Sequence, residues 1–268
     1  MTTAFDQTRG ARAAQNPLDY AIGWRDHDVI GMVRAALAEG RCALAYQPVR
    51  RADGAVSFYE GLIRVLDDGG RILPARAFMN HVAEDGIGRD LDAASLGLAF
   101  EALQRHPSLR LSVNVSARSL GDSVWRAVLD SHLGVDDFLG ERLILEIGEA
   151  SAMMLPEVVA RFMEEMQPLG VAFALDDFGS GATSLRHLRQ FFFDLVKIDR
   201  SFVTGIAGDP DNQVLMAALM AVAHQFDMFA VATGVEMAED AEWLVEAGAD
   251  CLQGYHLGVP RMTLPFAE

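Results

Sequence analysis

Asp176 and Asp177 are adjacent carboxylates at the end of an apolar run, Val171 to Leu175, and Gly179 and Gly181 follow them. The run has the length and composition of a buried strand, and the glycines let the backbone turn sharply over its end. Adjacent carboxylates repel each other unless a cation lies between them, so the pair suggests a metal site. An Asp-Asp turn that caps the next helix is the plainer alternative. Further strand-end residues weigh against it. Glu60 lies in Tyr59-Glu60-Gly61-Leu62-Ile63-Arg64, Asn114 lies between Val113 and Val115, and Glu146 lies in Leu143-Ile144-Leu145-Glu146-Ile147. Lys197 follows Leu195 and Val196, Glu236 follows the next strand, and Gln253 lies in the last.

Carboxylate and amide oxygens without His or Cys make a hard ligand set, suited to Mg²⁺ or Mn²⁺ rather than Zn²⁺. Asp176 beside Asp177 is placed to bridge two ions, the arrangement that stabilises both the attacking and the leaving oxygen of a phosphodiester. A lysine among the carboxylates can orient a water or offset charge. An enolase-like proton abstraction, which also uses Mg²⁺ and a lysine on a barrel, is the competing chemistry.

The elements that must hold these residues alternate. Val29 to Leu37 has a helical apolar period, and Cys42 to Val49 then alternates as a strand. Arg51-Ala52-Asp53-Gly54 is turn chemistry leading into a second strand, Ala55 to Val65, so this pair is expected as an antiparallel hairpin. Helices are expected at Phe78 to Glu84, Leu91 to Leu103, Ser123 to Leu133, Pro156 to Leu169, after Ser184, at Gln213 to Gln225 and at Ala238 to Ala247. Between them come strands Leu109 to Val115, Leu143 to Ile147, Val171 to Leu175, Leu195 to Ile198, Phe229 to Ala232 and Cys251 to Gly254. Alternating strands and helices predict parallel strands with right-handed crossovers, and this number favours a closed α/β barrel. Functional residues of such barrels sit at the C-terminal ends of the strands, where this chain concentrates its polar groups. Residues 1–27 lack a sustained apolar period and are expected as a flexible extension, with residues 28–268 forming one barrel domain.

Composition narrows the field. The formal net charge of −16 argues against general nucleic-acid or anionic-membrane binding, although a metal-bearing site can still take a small phosphate ligand. No apolar run has membrane-spanning length and no signal-peptide layout opens the chain, so a cytoplasmic location is expected. Cys42 and Cys251 lack metal-ligand spacing and are expected as reduced thiols.

From about Arg41 to Pro260 the chain resembles the EAL domain, the family of cyclic di-GMP phosphodiesterases. The matching residues, in order, are Tyr46-Gln47-Pro48, Glu60-Gly61-Leu62 with Arg64, and Asn114-Val115-Ser116. Glu146 with Glu149, Asp176-Asp177-Phe178-Gly179-Ser180-Gly181, Lys197-Ile198-Asp199, Gly234-Val235-Glu236 and Gln253-Gly254-Tyr255 complete the set. The resemblance implies a TIM-like (β/α)8 barrel with an antiparallel first strand. It implies one Mg²⁺ or Mn²⁺ on Glu60, Asn114, Glu146 and Asp176, and a second on Asp176 and Asp177. Lys197 would contact the lytic water, with Gln253 beside it and Glu236 nearby in the catalytic set. Arg64, Gln47, Leu62 and Gln253 would hold the nucleotide. Glu149 would pin the loop Asp177 to Ser184, which the family couples to a homodimer interface. The family reaction opens cyclic di-GMP to linear pGpG by in-line attack of water.

One departure bears on that chemistry. The family has Glu-Gly-Val-Glu where this chain reads Thr233-Gly234-Val235-Glu236. The missing glutamate is the family's second-metal ligand and general base, and a threonine hydroxyl is neither anionic nor basic near neutral pH. Ala182, where an aromatic is usual, and Val259, where an arginine often precedes the proline, are lesser departures. The sequence leaves three readings open: a cyclic di-GMP-binding domain with weak or absent hydrolysis, an active phosphodiesterase, and an interaction module serving a protein partner in a signalling pathway.

Overall fold

The computed structural model describes residues 29–73, 78, 86–133, 138–181 and 188–265. The expected extension, the expected helix at Phe78 to Glu84 apart from Phe78, the expected helix after Ser184, and Ala182 lie outside these residues. The first described element is a helix, α1, over residues 29–38. It is followed by β1 (Cys42–Arg51), β2 (Val56–Val65), α2 (Ile87–Arg105), β3 (Leu111–Asn114) and α3 (Ser123–Leu133). Next come β4 (Leu143–Gly148), α4 (Glu149–Met154), α5 (Pro156–Met166), β5 (Ala172–Phe178) and β6 (Leu195–Ile198). The chain closes with α6 (Pro210–Gln225), β7 (Phe229–Thr233), α7 (Ala238–Glu246) and β8 (Cys251–Gln253).

The strands form a closed barrel in sequence order, β1 through β8. β1 runs antiparallel to both β2 and β8, and every other neighbouring pair is parallel. The fold is thus α/β with a TIM-like barrel and an inverted first strand, consistent with the hairpin chemistry at Arg51 to Gly54 and with the expectation from the family resemblance. Among the described residues no helix is long and apolar enough to cross a membrane.

Two apolar layers hold the barrel. Outside it, α5 presents Val159, Phe162, Met163 and Met166, spaced three and four residues apart, to the sheet. The Phe162 ring meets Trp125 of α3 at 5.6 Å and Phe173 of β5 at 5.9 Å, both edge-on, tying two helices to one strand. Inside the barrel, Val49, Phe58, Ile144, Ala174, Leu195, Val231 and Cys251 pack together, each from a different strand. Both cysteines are free thiols.

Among the boundaries that depart from expectation, three have a clear local cause. β5 continues past Leu175 through Asp176 and Asp177 to Phe178, so the carboxylates lie inside the strand and not at its exit. Its pairing with β6 shifts register between Leu175 and Phe178, and Asp177 takes a left-handed φ of 56°. This is a bulge, and it re-aims a side chain that regular pleating would fix. The stretch at Pro156 to Leu169 ends its α-helix at Met166 and tightens into a 3-10 turn at Gln167–Leu169. Helix α6 starts three residues earlier than its apolar period, because Asp209 accepts hydrogen bonds from the Asp211 and Asn212 N–H groups and Pro210 opens the first turn.

Candidate functional site

Side chains alternate between the two faces of a strand, so the residue two steps beyond each residue of the inner layer, which Ser112 occupies on β3, also faces inward, one layer nearer the barrel mouth. Applied strand by strand, this turns the inner apolar layer into a polar ring. Phe58 leads to Glu60, Ser112 to Asn114, Ile144 to Glu146, and Ala174 to Asp176. Leu195 leads to Lys197, Val231 to Thr233, and Cys251 to Gln253. On the inverted β1 the step runs backward, from Val49 to Gln47. The cross-strand registers Gln47 with Glu60, Asn114 with Glu146, and Thr233 with Gln253 place these residues level with one another.

Lys197 is the hub of the ring. Its Nζ lies 2.8 Å from Glu60 Oε2, 2.5 Å from Glu146 Oε2 and 3.6 Å from Asp176 Oδ1. Gln253 Nε2 donates to Glu60 Oε2 at 2.5 Å and to Gln47 Oε1 at 3.4 Å. Asn114 Nδ2 donates to Glu60 Oε1 at 2.9 Å. Gln47 Nε2 in turn donates to the Gly258 carbonyl at 3.1 Å, anchoring the loop after β8.

The two glutamates bonded to Lys197 titrate in opposite directions, and their partners explain why. Burial pushes Glu60 upward, but Lys197, Gln253 and Asn114 all favour its charged form and hold it below the usual carboxylate range. Among the described residues Glu146 has Lys197 as its only donor, and its Oε1 is buried without a hydrogen-bond partner. Burial, then the charges of Glu60 and Asp176, push Glu146 up to about 8 against the pull of Lys197. Burial works against the Lys197 ammonium, yet Glu146, Glu60 and Asp176 hold it well above its ordinary value. Asp177 is raised by burial and then by Asp176.

A buried, unpartnered carboxylate oxygen is costly unless a cation or donor meets it, so Glu146 Oε1 fits the hard-cation ligand set of Glu60, Asn114, Glu146 and Asp176. As they stand, these carboxylates turn toward the Lys197 ammonium. Among the described residues no three His, Cys, Asp or Glu side chains are arranged as a ready ion cage.

The remaining expected residues fall in three places. Leu62 and Arg64 continue the inward face of β2 above Glu60, both half-buried, and Arg64 Nη1 donates to the Leu62 and Ile63 carbonyls at 3.3 and 3.1 Å. Glu149, buried at the start of α4, accepts the N–H groups of Gly179 and Ser180 at 2.9 and 3.1 Å, so the first turn after β5 is clamped to it. A Cβ at Gly179 would lie 2.9 Å from the Phe202 ring and 3.1 Å from Leu219, which puts this turn in direct contact with α6. Glu236 is exposed on the loop after β7 and is not brought into the ring. That loop is pinned elsewhere: Val235 N–H donates to the Gln253 carbonyl, and a Cβ on Gly254 would sit 2.0 Å from the Val235 carbonyl oxygen.

Thr233 belongs to the ring, yet its hydroxyl is used sideways. Oγ1 donates to the Ile198 carbonyl at 2.8 Å, satisfying the last acceptor of β6. Spacing along β7 alone would have placed Thr233 in this layer, two residues after the inward-facing Val231.

Comparisons with known proteins agree with this geometry. A family model described as the EAL domain matches residues 30–260. The chain is 29% identical over 238 residues to the cyclic di-GMP phosphodiesterase PdeR of Escherichia coli, a match covering 87% of this chain and 36% of that protein. It is 31% identical over 240 residues to the bifunctional diguanylate cyclase/cyclic di-GMP phosphodiesterase MucR of Pseudomonas aeruginosa, covering 85% of this chain and 34% of the relative. The crystal structure of the FimX EAL domain from Pseudomonas aeruginosa bound to c-di-GMP superposes with a TM-score of 0.81 at 27% identity, covering 88% of this chain and 97% of that one. The chain spans about a third of the length of these curated relatives.

Proposed function

From the premise that the chain belongs to the EAL domain family, we propose that it binds cyclic di-GMP with Mg²⁺ or Mn²⁺ at the polar ring and hydrolyses it slowly or not at all. The observation that carries this reading is the contrast within one ring. Glu146 Oε1 is a buried acceptor without a partner among the described residues, suited to a cation, while the β7 position holds a neutral hydroxyl already donating to Ile198. Glu60, Asn114, Glu146 and Asp176 would hold one ion, and Asp176 with Asp177 would face a second. Such ions, when bound, supply Lewis-acid stabilisation of phosphate oxygens. Gln47, Leu62, Arg64 and Gln253 would grip the nucleotide, and Lys197 would orient a water from the ring centre. With Thr233 and the exposed Glu236, no carboxylate on β7 or the loop after it stands ready to take that water's proton. Titration calorimetry tests binding: heat is expected with cyclic di-GMP when Mg²⁺ or Mn²⁺ is present, and Glu146→Gln should weaken it about tenfold or more. Absence of heat at high micromolar nucleotide with folded protein would favour an interaction module.

The same reading extends to assembly as a homodimer. On α6, Val214 is 70% exposed and Leu215 49%, with Ala218 and Ala221 also exposed one and two turns on. An apolar helix face of this kind is expected to be covered. Leu219 of the same helix touches the turn clamped by Glu149, so a second copy seated on α6 would lie one contact from Asp177. Light scattering is expected to give twice 29.1 kDa at tens of micromolar, and Val214→Asp should shift the chain to monomer. A monomeric wild-type protein at that concentration would remove this extension.

A further inference from the structure

We propose that an aromatic pocket on the N-terminal face of the barrel, opposite the ring, docks a protein partner presenting an aromatic side chain beside a basic one. The pocket has a volume of about 420 Å³, at the small end of the range for ligand sites, and is walled by Phe191, Phe192, Phe193, Phe226, Met228 and Phe229. It opens at the starts of two strands: Asp194 precedes β6, and Phe229 is the first residue of β7. Lys197 and Thr233 lie at the other ends of those strands, so a molecule in this pocket does not touch the ring.

Two features mark the pocket as more than packing. Phe191 and Phe193 are buried and meet at 5.4 Å to form a floor, whereas Phe192 is 46% exposed and Phe229 63%. The N-terminal face of such barrels ordinarily serves stability, and aromatic rings left in water there contribute none until something covers them. The second feature is Asp227. It follows the C-cap Phe226 of α6 with a left-handed φ of 57°, where glycine carries no strain. The strained residue instead sets an exposed carboxylate on the pocket, and no hydrogen bond or ion pair engages it among the described residues. Asp194 also lines the pocket, with Oδ2 accepting the Phe173 N–H at 2.8 Å. Among the described residues, one cation, Arg189, lines the pocket with these two carboxylates, within a chain of net charge −16.

Charge complementarity therefore selects the occupant. The aromatic walls favour a flat ring at edge-to-face distance, and the acidic rim favours a cation beside it and disfavours an acid. Tryptophan, tyrosine and arginine are also the side chains that most often anchor protein interfaces. A segment carrying such a pair fits better than a nucleotide, whose phosphates the rim repels.

The test uses the full chain labelled for NMR and two capped dipeptides, acetyl-Trp-Arg-amide and acetyl-Trp-Glu-amide. Amide shifts are expected at Phe192, Asp227 and Phe229, with the arginine peptide bound at least about threefold tighter. Phe229→Ala should weaken both peptides about tenfold, and Asp227→Asn should abolish the preference while leaving the shifts in place. Asp227→Gly should likewise lose the preference yet raise the melting temperature, because it relieves the positive φ. That variant separates a recognition role from a folding role even if Phe229→Ala proves unstable. Three results would overturn the proposal. They are no shifts at about 10 mM peptide, equal affinity for the two peptides, or a change in self-association on Phe229→Asp, which would make a second copy the occupant.

Discussion

Thr233→Glu is expected to raise the rate at which this chain opens cyclic di-GMP to pGpG by about 10²-fold or more over a slow or undetectable wild type. Thr233 stands level with Gln253 across the β7–β8 ladder and two residues beyond the inward-facing Val231, so a glutamate there enters the ring as its eighth member. It would supply an anionic second-metal ligand and a proton acceptor together. The substitution also removes the hydrogen bond from Thr233 Oγ1 to the Ile198 carbonyl, costing about 1 kcal/mol. It adds negative charge near Asp176 and Asp177 besides. The variant should therefore be less stable than wild type without metal, and should gain more in melting temperature on Mn²⁺ addition. Thr233→Gln matches glutamate in size without its charge or basicity and should recover little activity. Brisk turnover by the unmodified chain, followed as pGpG by chromatography with excess Mn²⁺, would sink the binding-domain reading.

The barrel was legible because each strand carries its own signal: a short apolar run, turn residues, then a helix of period 3.6. The antiparallel β1–β2 pair was legible from four residues of turn chemistry, and the family resemblance marked β1 as the inverted strand. Polar strand ends were legible too, because Glu60, Asn114, Glu146 and Lys197 interrupt runs that would otherwise be wholly apolar. Effects set by neighbouring strands were not. The extension of β5 through Asp177 to Phe178 depends on the β6 ladder and a register shift within it, which no local pattern encodes. Helix α4 has six residues, too few to show a period, and it buries a glutamate where an apolar residue would be expected. The Asp209-Pro210 cap of α6 was present in the sequence as a helix start signal, but the apolar period alone begins later. Glu236 matches the family motif by spacing, yet the loop pinned by Val235 and Gly254 leaves it exposed.

Lys197→Met is expected to destabilise the metal-free chain by about 3–5 kcal/mol, the cost of leaving buried carboxylates without their countercharge. Glu60 and Glu146 are 5% and 0% exposed, and the Lys197 ammonium is the cation they share. The pH dependence has a definite sign. The Glu146 carboxyl titrates at about 8 when folded against an ordinary value of 4.5, so the folded state holds the extra proton between those values. Wild-type stability from this group therefore falls as pH rises from about 4.5 to about 8, and is level above. Without Lys197 the Glu60 carboxyl loses the chief charge that holds it low and Glu146 rises further, so the deficit of Lys197→Met should be smallest at the acid end, near pH 5, and should continue to grow above pH 8. Urea unfolding across that range reads the slope directly. Adding Glu60→Gln and Glu146→Gln to Lys197→Met should recover most of the lost stability, because neutral amides carry no charge to desolvate. Mg²⁺ or Mn²⁺ should restore part of it in the single variant and much less in the triple one, which keeps Asp176 and Asp177 but has lost the carboxylates of Glu60 and Glu146. A deficit in Lys197→Met that is independent of pH, and not relieved in the triple variant, would mean that lost packing and not the unpaired charge is what the lysine prevents.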